Sequence, residues 1–548
     1  MAKKHAKLLS IILCILMLTS FAACGKGTAP SASEASASKA AGSKAAADPF
    51  GKYDSTVTLS TVRFLDSNVK FDAGNPAKKS LTENAWASAY QDQLNIKFNY
   101  LWTPNLDEYD SKWNVAIASG DIPDCASVDS TIYKELLDAG MVEDMTQYYN
   151  DYASDTYKKA NTDDGGLTMR YMTTDQKLYG LPQNGTQPDT ANLIFIRKDW
   201  LEKVNMPEPK TLDDLISVAQ AFVKAKLGGQ NTYGIFASKD ITTLEGFFNS
   251  YGSYYDMWLK DKSANQLVYS TIQPQTKTAL LKLQELYKQG LLSQDFSVKG
   301  GDTAGEDVAS GKVGIEYGQF AQPLIDIKQN MDADKNAKWE VLTPAAADGS
   351  KYISQASAIP GAFIFVKKGC EHPEAAVKVM NLNFKLFEED PNHYGSGPDG
   401  FGFHKYRFAC ETYMPWKNLN AYKAVSAAIV SKDTSKMNAE QKGYYDKIME
   451  GTTAADKAYE LVFGVDSTFS HVSDLKDHDQ IITSLYESLP TDTQTSVGDT
   501  LKTTLDAAMM KVIMGADIST FDNAVAEWKK GGGDKITSEL NEWYSSKK

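Results

Sequence analysis

Aromatic side chains set among amides and hydroxyls are the residues of this chain best suited to chemistry, and the chemistry they suit is non-covalent. Aromatic residues make up 11% of the 548 residues. Trp86, Trp102, Tyr254, Tyr255, Trp258, Tyr317, Phe320 and Trp416 lie in polar, loop-like contexts and not in amphipathic stripes. A flat ring offers its face to the C–H bonds of a pyranose, while the hydroxyls of the sugar demand a rim of Asp, Asn, Gln and Arg. Residues 249–258, Asn-Ser-Tyr-Gly-Ser-Tyr-Tyr-Asp-Met-Trp, form the densest such stretch, and Tyr254 and Trp258 are its expected ligand contacts. Trp86 and Trp416 are expected contacts on the same grounds. The competing role for each ring is a place in the core or on the surface.

Covalent chemistry has no comparable signal. The six histidines, His5, His372, His393, His404, His471 and His478, form no His-Glu-x-x-His pattern, and no Gly-x-Ser-x-Gly elbow occurs. Gly395-Ser-Gly-Pro-Asp-Gly400 matches Gly-x-Gly-x-x-Gly letter for letter, but polar Glu388-Glu-Asp-Pro precedes it where a dinucleotide site needs a buried strand. Gly-x-x-x-x-Gly-Lys-Ser/Thr, the phosphate loop of ATPases, does not occur. A glycoside hydrolase would need two carboxylates straddling a bond, and with 70 acidic residues sequence spacing is no test of that. The expectation is a binding protein with no catalytic residue, no cofactor and no metal.

The N-terminus fixes the compartment. Lys3, Lys4 and Lys7 precede an apolar run over 8–18, and small Ala22 and Ala23 precede Cys24. This looks like a bacterial lipoprotein signal, in which the cysteine is acylated and becomes the mature N-terminus. Phe21 departs from the usual Leu, and an ordinary secretory peptide cut after Ala22 or Ala23 is the alternative. Residues 25–47 are nearly all Ala, Ser, Gly and Lys, a composition that buries too little apolar surface to fold and acts as a flexible tether. No later stretch approaches the roughly 18 apolar residues of a membrane span. A net charge of -13 makes nucleic acid and anionic lipid poor partners. Beyond Cys14 and Cys24 only Cys125, Cys370 and Cys410 remain, so they are expected as small buried hydrophobes and not as a disulfide scaffold.

A body of roughly 500 residues exceeds one core and predicts at least two lobes. Short apolar runs alternate with helical patterns, as in α/β domains. A strand is predicted over 56–64, a helix over 84–94 with Trp86, Tyr90 and Leu94 at spacing four, and a second strand over 96–102. A helix covering Trp113 to Ala118 should stop at Gly120, because the turn Gly120-Asp-Ile-Pro123 allows positive φ and blocks continuation. Thr211-Leu-Asp-Asp reads as a helix N-cap, the run 362–366 as a buried strand, and His372-Pro373-Glu374 as a helix start.

In this order the motifs resemble the extracellular solute-binding proteins of bacterial ABC importers, family 1, in its large lipoprotein branch. The carriers are Asn114 to Asp124 (Asn-Val-Ala-Ile-Ala-Ser-Gly-Asp-Ile-Pro-Asp), Leu137-Asp-Ala-Gly-Met-Val-Glu-Asp-Met-Thr146, Leu178-Tyr-Gly-Leu-Pro182 and Leu193-Ile-Phe-Ile-Arg-Lys-Asp-Trp-Leu201. Phe363-Ile-Phe-Val-Lys-Lys, His372-Pro-Glu-Ala-Ala-Val-Lys378, Trp528-Lys-Lys-Gly-Gly-Gly-Asp534 and Glu539-Leu-Asn-Glu-Trp-Tyr544 continue the series.

The resemblance implies a two-lobe, periplasmic-binding-protein-like α/β fold whose lobes close on a ligand in the cleft by hinge bending. The partition is 48–182 plus 361–432 for lobe one, and 183–360 plus 433–548 for lobe two with the C-terminal helices. Asp121 becomes a candidate ligand contact because the Gly-Asp loop of the family sits at the cleft edge; turn stabilisation is its alternative role. Gly318-Gln319-Phe320 replaces a Trp-containing family segment, which moves expected contacts to Tyr317, Gln319 or Phe320. Some relatives carry a calcium loop, but Leu227-Gly-Gly-Gln-Asn-Thr-Tyr-Gly234 lacks the alternating carboxylates calcium needs, so no metal is expected there. The implied function is a monomer anchored to the membrane through Cys24 that delivers a carbohydrate, expected to be an oligosaccharide, to ABC permease subunits. Signalling to a membrane kinase and peptide or amino-sugar binding are the alternatives.

Overall fold

A strand opens the ordered chain at Val57–Thr61 and pairs in parallel with Ile96–Tyr100, Val57 opposite Ile96. Both strands end earlier than the sequence pattern predicts, at Thr61 and Tyr100, because the chain bends at their carboxyl ends to build loops. The computed structural model describes residues 47–547 apart from 66–68, 185–187, 262, 358–359, 396–402 and 410–411. Cys24 with its signal and tether, Cys410, and most of the Gly395–Gly400 motif lie outside the described residues.

Between the two strands the helix Ala85–Ala89 runs into a π-helical turn, Tyr90–Leu94. Asn84 caps the start by accepting the Ala87 amide at 2.9 Å, and left-handed Asn95 (φ 57°) ends it. The helix Leu106–Ser119 stops at Gly120, φ 74°, as its turn sequence dictates. Cys125–Val128 then pairs antiparallel with Phe363–Val366, a strand returned from much later in the chain and buried at every position. Helix Pro373–Glu389 follows it, with proline in the first turn where no amide hydrogen is needed. These elements bury Leu59, Trp113, Tyr133, Phe365 and Met380 in one core. Within it Cys125 is a buried free thiol, and Cys370, also free, is half-buried at the edge.

The second sheet has four strands in the order Trp339–Leu342, Leu193–Arg197, Val313–Gly318, Tyr233–Ile235. Its two central strands are buried throughout, so it must be covered on both faces. Alternation along one strand assigns the layers: Ile194 and Ile196 face a core with Phe247, Leu280 and the C-terminal helices, whereas Leu193 and Phe195 face one with Leu419, Val425, Phe463 and Phe469. Thr211 and Asp214 form a full capping box on helix Leu212–Ala225, which packs against the first of these faces. Helix Lys417–Ser431 belongs to the second sheet's core, so the chain re-enters this lobe before residue 417 and not near 432 as the sequence partition has it. Among the described residues no helix is long and apolar enough to cross a membrane.

Candidate ligand-binding cleft

The chain passes between the two cores in three connections. Leu181 still bridges to Ile364 of the first core, and Leu193 begins a strand of the second. Gln355 is paired with Ile482, and Phe363 lies opposite Val128. Phe408 stacks on Phe98 at 4.8 Å, and Leu419 is core of the second lobe. Where these connections meet, buried amides and hydroxyls satisfy one another. Ser127 Oγ donates to Gln183 Oε1 at 2.8 Å, Asn184 Nδ2 to Asn161 Oδ1 at 2.7 Å, and Asn161 Nδ2 to the Tyr149 hydroxyl at 2.7 Å. The Thr168 hydroxyl also bonds Asn184, and the Tyr413 amide donates to the Asn184 carbonyl at 3.0 Å. Ser357 N donates to Thr190 Oγ1, and Asn192 N to Ser354 Oγ, each at 2.8 Å. A buried polar layer so fully paired fixes the connections.

In open α/β sheets ligands collect at the carboxyl ends of strands. On lobe one these ends carry Arg63, exposed Phe64 and Leu101, half-buried Trp102, and Tyr109. Tyr109 meets Phe64 edge-on at 5.4 Å and Trp102 at 5.8 Å, and its hydroxyl donates to Ser127 O at 3.3 Å, beside the first connection. Burial pushes the Tyr109 hydroxyl up to about 12, opposed by the neighbouring Trp113 indole and by the charge on Arg63. Burial likewise raises Tyr90, whose hydroxyl accepts the Phe408 amide at 3.2 Å and also feels Arg63.

On lobe two the corresponding face carries Asn192, Glu245 and the turn Gly318-Gln319-Phe320. Burial lifts the Glu245 carboxyl to about 7, with Asn192 Nδ2, 3.2 Å away, pulling it back. Beneath the turn, fully buried Glu316 accepts Gln322 Nε2 at 2.6 Å. Burial and neighbouring Asp326 hold Glu316 well above the carboxylate range, and burial lifts Asp326 to about 6. A side chain at Gly318 would sit 2.4 Å from Gln322 Cγ, so only glycine closes this turn. Gln319 is half-buried, and its side chain has no hydrogen-bonding partner among the described residues.

Three sequence-predicted contacts are core residues. Trp86 is fully buried against Tyr394 at 5.0 Å and the Arg407 guanidinium at 5.6 Å. Trp258 points inward from strand Trp258–Lys260 onto Tyr269 at 5.1 Å and Trp528 at 6.5 Å, under the C-terminal helices. The Tyr317 ring packs on the backbone of Gly246, where a Cβ would lie 2.4 Å from it. Their polar sequence neighbours are turn residues and do not expose the rings. Asp121 is exposed on the loop entering Cys125–Val128, at the end of that strand away from Ser127 and Gln183. Nearby Asp124, not Asp121, holds the loop by accepting Ser60 N and Oγ at 2.7 Å. Trp416 lies on the third connection, its Nε1 donating to Asp163 O at 2.8 Å and Lys476 5.3 Å over its ring. Half-buried Tyr254 lines a cavity of about 940 Å3 that lies wholly in lobe two, walled by Asn249, Leu259, Gln273, Lys351 and Ile482. Arg63, Asn192 and Glu245 were missed, although a position just past a predicted strand was a usable signal for Arg63.

Two α/β lobes joined by three connections, with free polar and aromatic groups gathered at strand ends beside them, define a two-lobe binding protein. The chain matches the bacterial extracellular solute-binding protein family over residues 74–382, and it belongs to that family. It is 26% identical over 470 residues to the polygalacturonan/rhamnogalacturonan-binding protein YtcQ of Bacillus subtilis strain 168, an alignment covering 83% of this chain and 86% of that one. Lipoprotein LipO of the same strain is 23% identical over 82% of this chain and 86% of its own length. Among solved structures, alginate-binding protein AlgQ2 without calcium superposes with a TM-score of 0.63 at 15% identity, covering 90% of this chain and 99% of that one. The Streptococcus pneumoniae substrate-binding protein FusA in complex with kestose gives 0.59 at 14% identity, covering 90% and 100%. These structures share the periplasmic-binding-protein-like fold.

Proposed function

We propose that this protein captures an oligosaccharide between its lobes and delivers it to the permease subunits of an ABC importer, catalysing nothing itself. The observation that carries the proposal is the set of side chains at the strand ends of both lobes, Arg63, Phe64 and Trp102 on one and Asn192, Glu245 and Gln319 on the other, of which Arg63 and Gln319 make no side-chain hydrogen bond among the described residues, beside connections stiffened by their own hydrogen bonds. Rings for C–H faces and amides and carboxyls for hydroxyls are the complement of a sugar chain. The ligands of YtcQ and FusA, polygalacturonan or rhamnogalacturonan and kestose, point the same way. Tyr254 and Trp416 are the sequence-predicted aromatic residues that remain candidates, Trp416 on the third connection and Tyr254 in its own cavity of lobe two. Closing of the lobes is the state a permease would recognise. Acylated Cys24 and the tether after it would hold the monomer at the extracytoplasmic face of the cell membrane.

A thermal-shift screen of the full chain in detergent against oligosaccharides, monosaccharides and peptides tests the proposal. A ligand at a hundred times its dissociation constant adds about 2.7 kcal/mol of apparent stability. An oligosaccharide shift supports it; a peptide shift with silence across sugars refutes it. Transport of the labelled ligand, lost in a deletion strain, is expected of an importer subunit, whereas undiminished uptake assigns a sensing role. Membrane retention unchanged in Cys24→Ser would remove the anchor.

A further inference from the structure

We propose that the cleft selects oligosaccharides bearing carboxylates, that is, chains of uronic acid residues, and that Arg63 is the residue that reads the carboxylate. This rests on the oligosaccharide function proposed above. The chain has four arginines, Arg63, Arg170, Arg197 and Arg407. Arg170 pairs with Glu487 at 2.8 Å, and Arg197 with Asp199 at 2.7 Å. Arg407 is buried, donates to Thr412 O at 2.8 Å and lies 4.9 Å over the Tyr413 ring. Arg63 alone has neither an ion pair nor a hydrogen bond among the described residues, although it is half-buried. A partly desolvated guanidinium with five free donors is an unfavourable group until an acceptor arrives.

Its surroundings say which acceptor fits. Arg63, two residues past strand Val57–Thr61, lies close enough to Tyr90 and Tyr109 to oppose the effect of burial on both hydroxyls; Tyr109 bonds Ser127 O beside the first connection and Tyr90 accepts the Phe408 amide at the start of the third. Tyr109 carries Phe64 and Trp102 at its edges, so a ring-stacking platform and the free guanidinium adjoin. The two carboxylates that, with Arg63, act on Tyr109 do not occupy it. Asp129 instead accepts Thr131 N at 2.8 Å and Ile132 N at 2.9 Å, and Asp110 has no bond to it. The planar fork of arginine matches a carboxylate two-to-two, a geometry that hydroxyls cannot reproduce. The protein as a whole carries -13 and repels anions at long range. An acidic sugar therefore needs a cation inside the cleft, and a guanidinium gains more from its carboxylate than from the hydroxyls of a neutral sugar. On the other lobe Glu245, lifted to about 7, stays largely protonated below that pH and adds little repulsion.

The test uses the full chain in detergent and three probes in calorimetric titration: trigalacturonate, its fully methyl-esterified form, which keeps the ring and loses the charge, and a neutral galactose trisaccharide. The acid should bind at least about tenfold more tightly than its ester, and Arg63→Gln should weaken the acid by about 10- to 100-fold and the ester by a clearly smaller factor, so that the acid-over-ester preference is lost. Arg63→Lys, keeping charge without the fork, should fall between. With the unmodified chain, acid affinity should drop between 50 and 500 mM salt and ester affinity should not, a readout that stands even where the variants fail to fold. Equal binding of acid and ester, or equal loss of both in Arg63→Gln, overturns the inference and leaves the oligosaccharide function intact. Binding of none of the three, together with silence across the wider sugar screen, overturns both.

Discussion

The polar layer at the three connections and the polar faces at the strand ends use the same residue types to opposite ends. Asn184, Asn161, Thr168 and Gln183 bond to one another and to backbone, and they are buried or nearly so. Arg63 and Gln319 are half-exposed, and their side chains make no hydrogen bond among the described residues. A satisfied buried amide is framework, because each partner left alone would cost about 1–3 kcal/mol. An unsatisfied group at the margin of solvent is held ready for something that is not part of the chain. The partners of a polar residue, more than its type, thus separate hinge from binding face.

That contrast can be broken most forcefully at Trp258, which the sequence assigns to the ligand and the structure to the core. Trp258→Ala should destabilise the protein by roughly 3–5 kcal/mol, read from the denaturant midpoint, with oligosaccharide affinity retained in the folded fraction. Lost affinity at unchanged stability would return Trp258 to the cleft. Asn184→Leu should cost roughly 2–3 kcal/mol by stranding the Asn161 carbonyl oxygen and removing one partner of Thr168; a neutral result in chemical denaturation would mean that the layer is not framework.

Glu245 sharpens the comparison through pH. Its carboxyl titrates near 7 in the folded protein against an ordinary 4.5, so the folded state holds the proton longer than the unfolded chain does. Its contribution to stability is therefore full below about 4.5 and lost as pH rises to about 7, on the order of 2 kcal/mol. Melting curves of Glu245→Gln should lack that slope, and an unchanged profile would assign it to another group. The smallest effect belongs to Gln319→Ala, expected to leave the melting temperature alone and to weaken sugar binding about 3- to 10-fold. A shift in stability with full affinity would make Gln319 another framework residue.

Legibility along the chain followed the range of the interactions involved. The Gly120 stop, the Thr211 cap, the Pro373 helix start and the buried Phe363–Val366 strand were all readable, because caps, φ limits and apolar runs act within a few residues. The re-entry near residue 417 was not, since helix Lys417–Ser431 owes its place to Leu193 and Phe195, more than 200 positions away. Trp86 illustrates the same limit: expected at the ligand because of its polar neighbours, it is buried against Arg407, more than 300 positions away.

By itself, then, the amino-acid sequence determined the alternating α/β pattern, the family and the need for two cores, all of which follow from composition, short-range periodicity and motif order. Which aromatic rings stay free for a ligand was decided only in three dimensions. Trp258 disappears beneath helices contributed by the last 60 residues of the chain, whereas Phe64, with no such cover, remains exposed at 36%. Burial is a property of what arrives from elsewhere in the chain, and no local pattern records it.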